Sequence, residues 1–281
     1  MMRIVRALWG SSHPGPTLVV TTLSAGLGIA AGLDAWRIAV LAAAVFFGQL
    51  SIGISNDAID ADRDRAVGRN DKPIARGDIS GRVAWIGAVG CVIVALAFSA
   101  PLGWGVLIGN SVVILSGWVY NRPLKSTPLS IVPFLVAFGS LPSLATLAAS
   151  PPTLAPAWAT VAGAALGASV HLTNVLPDLD ADRETGVRGL PHRLGARAST
   201  VLAALGVVAG ALAVLLGPVA GDVSRVAVVS WVLFAAVIAL AVVTVVLTVN
   251  RAPGRTLFRL VMLSALLLAA QLILSGGALR V

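Results

Sequence analysis

Long apolar runs separated by short polar joints make up most of the chain. The runs fall at 17–33, 38–55, 83–100, 103–120, 129–149, 156–176, 199–217, 226–249 and 257–279. Each is roughly 20 residues, the length an α-helix needs to cross ~30 Å of hydrocarbon. None alternates apolar and polar positions with a period of two, which excludes a transmembrane β-barrel. Pro101-Leu102-Gly103, Ser150-Pro151-Pro152 and Gly217-Pro218 mark turns between runs. The pattern predicts an all-α polytopic membrane protein with nine transmembrane helices, in a single domain over 1–281. A hydrophobic content of 57%, a charged content of 11% and a mean hydropathy of +0.93 lie outside the range of soluble domains.

The net charge is +8. Its distribution points to topology rather than to nucleic acid. With the N-terminus in the cytoplasm, 17 of the 20 Lys and Arg residues fall on the cytoplasmic side, and only Arg37, Arg225 and Arg280 lie opposite. Met1 to Gly10 is short and mildly basic, with no small-residue cleavage site after a separate apolar segment, so no cleaved signal peptide is expected. The single Cys91 sits inside an apolar run and is read as packing.

Eight of the 12 acidic residues occupy two short segments that read alike. The first is Asn56-Asp57-Ala58-Ile59-Asp60-Ala61-Asp62-Arg63-Asp64. The second is Asn174-Val175-Leu176-Pro177-Asp178-Leu179-Asp180-Ala181-Asp182-Arg183-Glu184. Each follows a long apolar run, the second and the sixth, and both fall on the cytoplasmic face. Two motifs four spans apart in the same direction suggest an internal repeat that faces them across a central cavity. Read as a helix at roughly 100° per residue, Asn56, Asp57, Asp60 and Asp64 share one face and Asp62 points elsewhere. Asn174, Asp178 and Asp182 repeat that face, with Asp180 pointing away. A solvated loop of neutralised charges would explain one such segment, but not two at equal spacing. Oxygen ligands without Cys or His suit Mg²⁺, which commonly bridges carboxylates and a substrate's phosphates.

Basic residues follow each cluster. Arg69, Lys72 and Arg76 follow the first motif, Lys125 follows the fourth run, and Arg188 and Arg193 follow the second motif. Cations beside a carboxylate–metal cluster make sense when a highly charged anion such as diphosphate lies between them. The positive-inside rule alone would also put basic residues here. Lys72 and Lys125 stand out as the only two lysines beside 18 arginines.

These residues resemble the UbiA superfamily of intramembrane prenyltransferases. Asn56-Asp57-x-x-Asp60-x-x-x-Asp64 is similar to its first signature and Asp178-x-x-x-Asp182 to its second. Tyr120-x-x-x-x-Lys125 is similar to the tyrosine and lysine after the fourth helix. The stretch from Asn174 to Arg193-Leu194-Gly195 looks like the branch that prenylates quinone precursors. The resemblance implies a helical bundle around a central cavity, a cytoplasmic cap, two Mg²⁺ ions and an isoprenyl diphosphate donor. It implies that Asn56, Asp60, Asp64, Asp178 and Asp182 hold the metal, with Asp60, Asp64, Asp178, Asp182 and Lys125 catalytic. Asn56, Asp57, Arg69, Lys72, Tyr120, Asn174 and His171 would bind substrate. The expected reaction is prenyl transfer to a lipophilic acceptor, an aromatic or quinone precursor, within the membrane. Two departures concern the acceptor. His13 stands where many members carry Arg before Pro14, and Arg188-Gly189-Leu190 precedes Pro191 where a threonine is frequent.

Two other functions fit less well. A terpene cyclase of the same superfamily would ionise the same donor, but the chain is only 5% aromatic and has a single tyrosine to build a carbocation cage. A transporter or binding protein for phosphorylated lipids could use basic patches and an internal repeat, with little use for two carboxylate clusters. His171, three residues before Asn174 and on the same side of its helix, could orient an acceptor or pack against a neighbouring helix. His13 and His192 are expected to be solvated.

Overall fold

The computed structural model describes residues 2–179, 182, 186–250, 255–274 and 279, with the side chains of Asp178, Val249 and Asn250 outside that description. Among the described residues the regular structure is entirely helical. In chain order the helices are α1 (Met2–Ser11), α2 (Pro14–Ala30), α3 (Ala35–Ala66), α4 (Pro73–Arg76), α5 (Gly81–Ser99) and α6 (Trp104–Asn121). They continue as α7 (Val132–Leu147), α8 (Ala157–Asn174), α9 (Leu190–Leu216), α10 (Val228–Asn250) and α11 (Arg255–Leu274).

Local chemistry sets many of the boundaries. Pro14 and Pro16 open α2, where the missing N–H costs nothing. Ser80 caps α5, its Oγ accepting from the Val83 N–H at 3.3 Å. Helix α9 is interrupted at Gly195, whose φ of 78° a glycine adopts without strain.

Six helical stretches are long and apolar enough to cross a membrane, which makes this an integral membrane protein. They are Ala35–Ala66, Gly81–Leu102, Pro128–Leu147, Leu190–Val219, Val228–Thr248 and Arg255–Leu274, and Pro14–Ala30 is a shorter apolar helix. The expectation of nine spans is therefore not established by length and composition. Helices α6 and α8 match two of the expected runs, but they carry Asn110 and Asn121, and His171 and Asn174, which lower their apolar content.

The helices close into a ring. Helix α2 packs on both α3 and α11, α6 on α3 and α7, and α8 on α7 and α9. Small residues make the closest approach. In Gly163-Ala-Ala-Leu-Gly167 of α8, a Cβ at Gly167 would lie 2.8 Å from the Phe138 Cβ, so α7 sits directly on the α8 backbone. That seat fixes Phe134 and Phe138 on the inner side of α7, against the residues of the candidate site.

The two acidic motifs differ in local structure. Helix α3 continues through the whole first motif to Ala66. The single unbroken helix expected through the second motif is interrupted: α8 stops at Asn174, Leu176–Asp178 form a 3-10 turn, and Leu179 and Asp182 are again helical. Pro177 explains the break, since it donates no backbone hydrogen bond and disfavours helical geometry in the residue before it. Asp180, Arg183 and Arg251 lie outside the described residues.

Candidate active site

The face expected for the first motif is the one that turns inward. Asp57, Asp60 and Asp64 are buried, whereas the Asp62 side chain is 96% exposed and paired with Arg65 at 2.7 Å. Buried carboxylates need partners, because an unpaired buried charge is costly. Asp57 Oδ1 accepts from Lys72 Nζ at 2.6 Å and lies 3.0 Å from His13 Nε2. Lys72 Nζ also stands 3.4 Å from Asp64 Oδ2. Asp60 Oδ2 is paired with Lys125 and with Arg63 Nη2, the latter at 2.9 Å.

Arg63 joins the two motifs. Its Nη2 is 3.7 Å from Asp64 Oδ1, and its Nη1 is 3.7 Å from Asp182 Oδ1. Asp182 Oδ2 in turn lies 3.1 Å from His192 Nε2. Carboxylates from segments more than 100 residues apart thus converge on one guanidinium, with Lys72 and Lys125 on the Asp57–Asp64 side. Burial works against the Lys72 ammonium, yet Asp57, with Asp64 and Asp60 behind it, holds its pKa above the usual lysine value. Burial likewise opposes the Asp182 carboxylate, but the His192 hydrogen bond and the charges of Lys125 and Arg63 hold its pKa below the usual range.

The remaining candidates named from the sequence fall at varied distances from this network. Asn56 Nδ2 donates to Asn121 Oδ1 at 3.0 Å, and Asn121 Nδ2 donates to the Ile52 carbonyl and to Ser55 Oγ. Tyr120 and His171 are buried together, with ring centroids 5.7 Å apart, and both pack on Phe134 at 4.9 and 4.8 Å. His171 Nε2 is 3.0 Å from Ser130 Oγ, which also accepts from the Leu190 N–H at 2.9 Å. Arg69 forks onto Asp71 at 2.9 and 3.1 Å, and this hydrogen bonding holds the Asp71 pKa down to about 2. Asn174 is exposed at the last position of α8. The Asp178 side chain lies outside the described residues.

Two expectations about histidine are corrected. His192 is buried, its side chain 3% exposed, because Asp182 gives its polar edge a partner. His13 is 43% exposed but bonded to Asp57 rather than only to solvent. Sequence reasoning also passed over Arg63, Asn121 and Ser130. The signal for Arg63 was its place three residues after Asp60 and one before Asp64. The signal for Asn121 was an amide at a membrane helix end, which is costly without a partner.

The residues fit a hard divalent cation by donor chemistry. Asn56, Asp57, Asp60, Asp64 and Asp182 offer oxygen only. Asp64 Oδ2 is buried without a hydrogen-bond partner. Among the described residues no three His, Cys, Asp or Glu side chains are grouped to hold a metal, since the carboxylates are turned toward Arg63, Lys72 and Lys125.

Beyond the aromatic pair lies a pocket lined by apolar side chains. Phe134 stacks on Phe138 at 6.5 Å, and Phe138 lines this small apolar pocket together with Leu23, Leu27, Leu141, Trp158 and Leu268. An ionic network at one end and an oily cavity further in suit a molecule with an anionic head and a hydrocarbon body.

This is the arrangement of an intramembrane enzyme-like bundle, and family comparison agrees. The chain belongs to the UbiA prenyltransferase family, whose model matches residues 17–268. A digeranylgeranylglyceryl phosphate synthase from Methanothrix thermoacetophila is 33% identical over 175 residues, 59% of this chain and 62% of that protein. The match therefore spans less than two thirds of that relative's length. A second synthase of that name, from Natronomonas pharaonis, is 28% identical over 72% of this chain and 74% of its own. In fold, the chain is similar to a UbiA homologue from Aeropyrum pernix, with a TM-score of 0.76, 19% identity and coverage of 92% and 98%. It is also similar to a UbiA homologue from Archaeoglobus fulgidus solved with GPP and Mg²⁺, with a TM-score of 0.72, 16% identity and coverage of 96% and 99%.

Proposed function

We propose that this protein transfers an isoprenyl group from an allylic diphosphate to a lipophilic acceptor, using Mg²⁺. The observation that carries the reading is the convergence of both acidic motifs on Arg63, with Lys72 and Lys125 beside them. Asn56, Asp60, Asp64 and Asp182, with Asp178, would hold two Mg²⁺ ions. When bound, these ions neutralise the diphosphate as it leaves.

The chain's own groups do the rest. Lys72, Lys125 and Arg63, with Arg69 at the rim, bind phosphate oxygens by charge-assisted hydrogen bonds, and the carboxylates that pair with them here would be the ones to hold the metal. The prenyl tail lies along Tyr120, Phe134 and Phe138 toward the apolar cavity, where burial of each CH₂ contributes about 0.8 kcal/mol. The C1–oxygen bond of the donor breaks with its electron pair on the diphosphate. The acceptor bonds to C1 and gives up a proton.

The acceptor has two candidate chemistries. The cluster of aromatic rings Tyr120, Phe134 and His171 favours an aromatic or quinone precursor. The names of the two archaeal relatives favour a prenylated glyceryl phosphate. Purified protein supplied with geranylgeranyl diphosphate and Mg²⁺ should release diphosphate only with an acceptor. An alkylated aromatic product supports the first chemistry and a diprenyl glyceryl phosphate the second. Rapid acceptor-free formation of a cyclic hydrocarbon would replace transfer by cyclisation, and no product with any acceptor would leave a lipid-phosphate carrier.

A further inference from the structure

We infer that His192 is a positioning residue for the metal site, fixing the Asp182 carboxylate from behind. The inference rests on the metal-dependent reading above and goes beyond it to a residue outside both acidic motifs.

The geometry is specific. His192 lies in the first turn of α9, ten residues after Asp182, and its Nε2 is 3.1 Å from Asp182 Oδ2. An ionised carboxylate only accepts, so the imidazole donates from Nε2. The other oxygen, Oδ1, is the one aimed at Arg63, 3.7 Å away. One carboxylate oxygen is thus held by His192 while the other faces the first motif. Asp60 and Asp64 share one continuous helix. Asp182 is not on an unbroken helix with Asn174, because α8 ends there and Leu176–Asp178 form a 3-10 turn.

His192 is itself locked in place. Its side chain is 3% exposed. The turn before it is pinned by the Leu190 N–H on Ser130 Oγ at 2.9 Å, and Ser130 is held from the other side by His171. A Cβ on Gly189 would fall 2.6 Å from the Lys125 carbonyl, so this turn lies flush against the segment that carries Lys125. One rigid contact therefore sets Asp182 and Lys125, the partner of Asp60, in register. Partners that orient metal-binding carboxylates typically change metal affinity 10- to 100-fold when removed.

The test is Mn²⁺ binding, read by electron paramagnetic resonance on purified full-length protein in the presence of inorganic diphosphate. His192→Phe should weaken Mn²⁺ binding about 10-fold or more while leaving the metal-free unfolding midpoint near wild type. His192→Gln, which keeps an N–H in reach of Asp182, should restore most of the affinity. If His192→Phe does not fold, His192→Asn, whose amide stops short of Asp182, carries the same expectation. Wild-type Mn²⁺ affinity in a folded His192→Phe or His192→Asn protein would overturn the inference, as would equal loss in His192→Gln. Absence of Mn²⁺ binding in the wild type would instead overturn the metal-dependent reading itself.

Discussion

The first acidic motif and the second have the same spacing of Asn and Asp, yet only the first lies on one unbroken helix. In the first, Ile59 precedes Asp60, and α3 runs on to Ala66 with Asp57, Asp60 and Asp64 on one buried face. In the second, Pro177 occupies the equivalent place before Asp178, and the helix has already ended. Orientation in the first motif comes from backbone periodicity. In the second, where the helix is interrupted, His192 on Asp182 and Ser130 on the Leu190 N–H add to it. Identical spacing can therefore deliver carboxylates to one site by two different means.

The largest expected effect tests the inward face of the helical motif. Asp60→Ala removes the shared partner of Arg63 and Lys125, and prenyl transfer should fall about 10²- to 10³-fold, typical of losing a preorganised electrostatic group. Near-normal turnover would remove Asp60 from the site. Next, Ile59→Pro would give the first motif the break that the second already has. It should cost ~3 kcal/mol of stability, since a proline in a helix interior loses a hydrogen bond and clashes. A thermal midpoint unchanged by Ile59→Pro would mean that helix continuity does not orient the first motif.

Lys125→Ala should lower kcat/KM by about 1.5–3 kcal/mol, the range for a hydrogen bond to a charged group. Normal kinetics would leave Lys125 as a topology residue only. Smallest is Asp62→Ala, on the exposed face and bonded to Arg65 alone among the described residues. It should change stability by no more than about 0.5 kcal/mol and leave turnover near wild type.

Much of this arrangement was legible in the sequence because helical periodicity is a local property. The spacing of Asn56, Asp57, Asp60 and Asp64 was enough to separate them from Asp62. The break between Asn174 and Asp178 was missed because the repeat of Asn and Asp outweighed Pro177, although that proline carries the stronger local constraint. Arg63 and His192 were missed for another reason. Their roles depend on contacts across the bundle, 3.7 Å to Asp182 for one and 3.1 Å for the other, and no local pattern encodes them. The expected count of spans exceeded what length and composition establish because α6 and α8 spend apolar positions on Asn121, His171 and Asn174, the polar residues nearest the motifs.

The central claim is that the two motifs form a single metal–diphosphate site. The most direct measurement is Mg²⁺-dependent diphosphate release in wild type, Asp60→Ala, Asp182→Ala and the double variant, each with acceptor present. If the motifs act as a unit, wild-type release should vanish in EDTA and return with Mg²⁺, both single variants should fall to one low level, and the double variant should be no worse. Losses that multiply in the double variant, or full turnover in EDTA, would contradict a shared site.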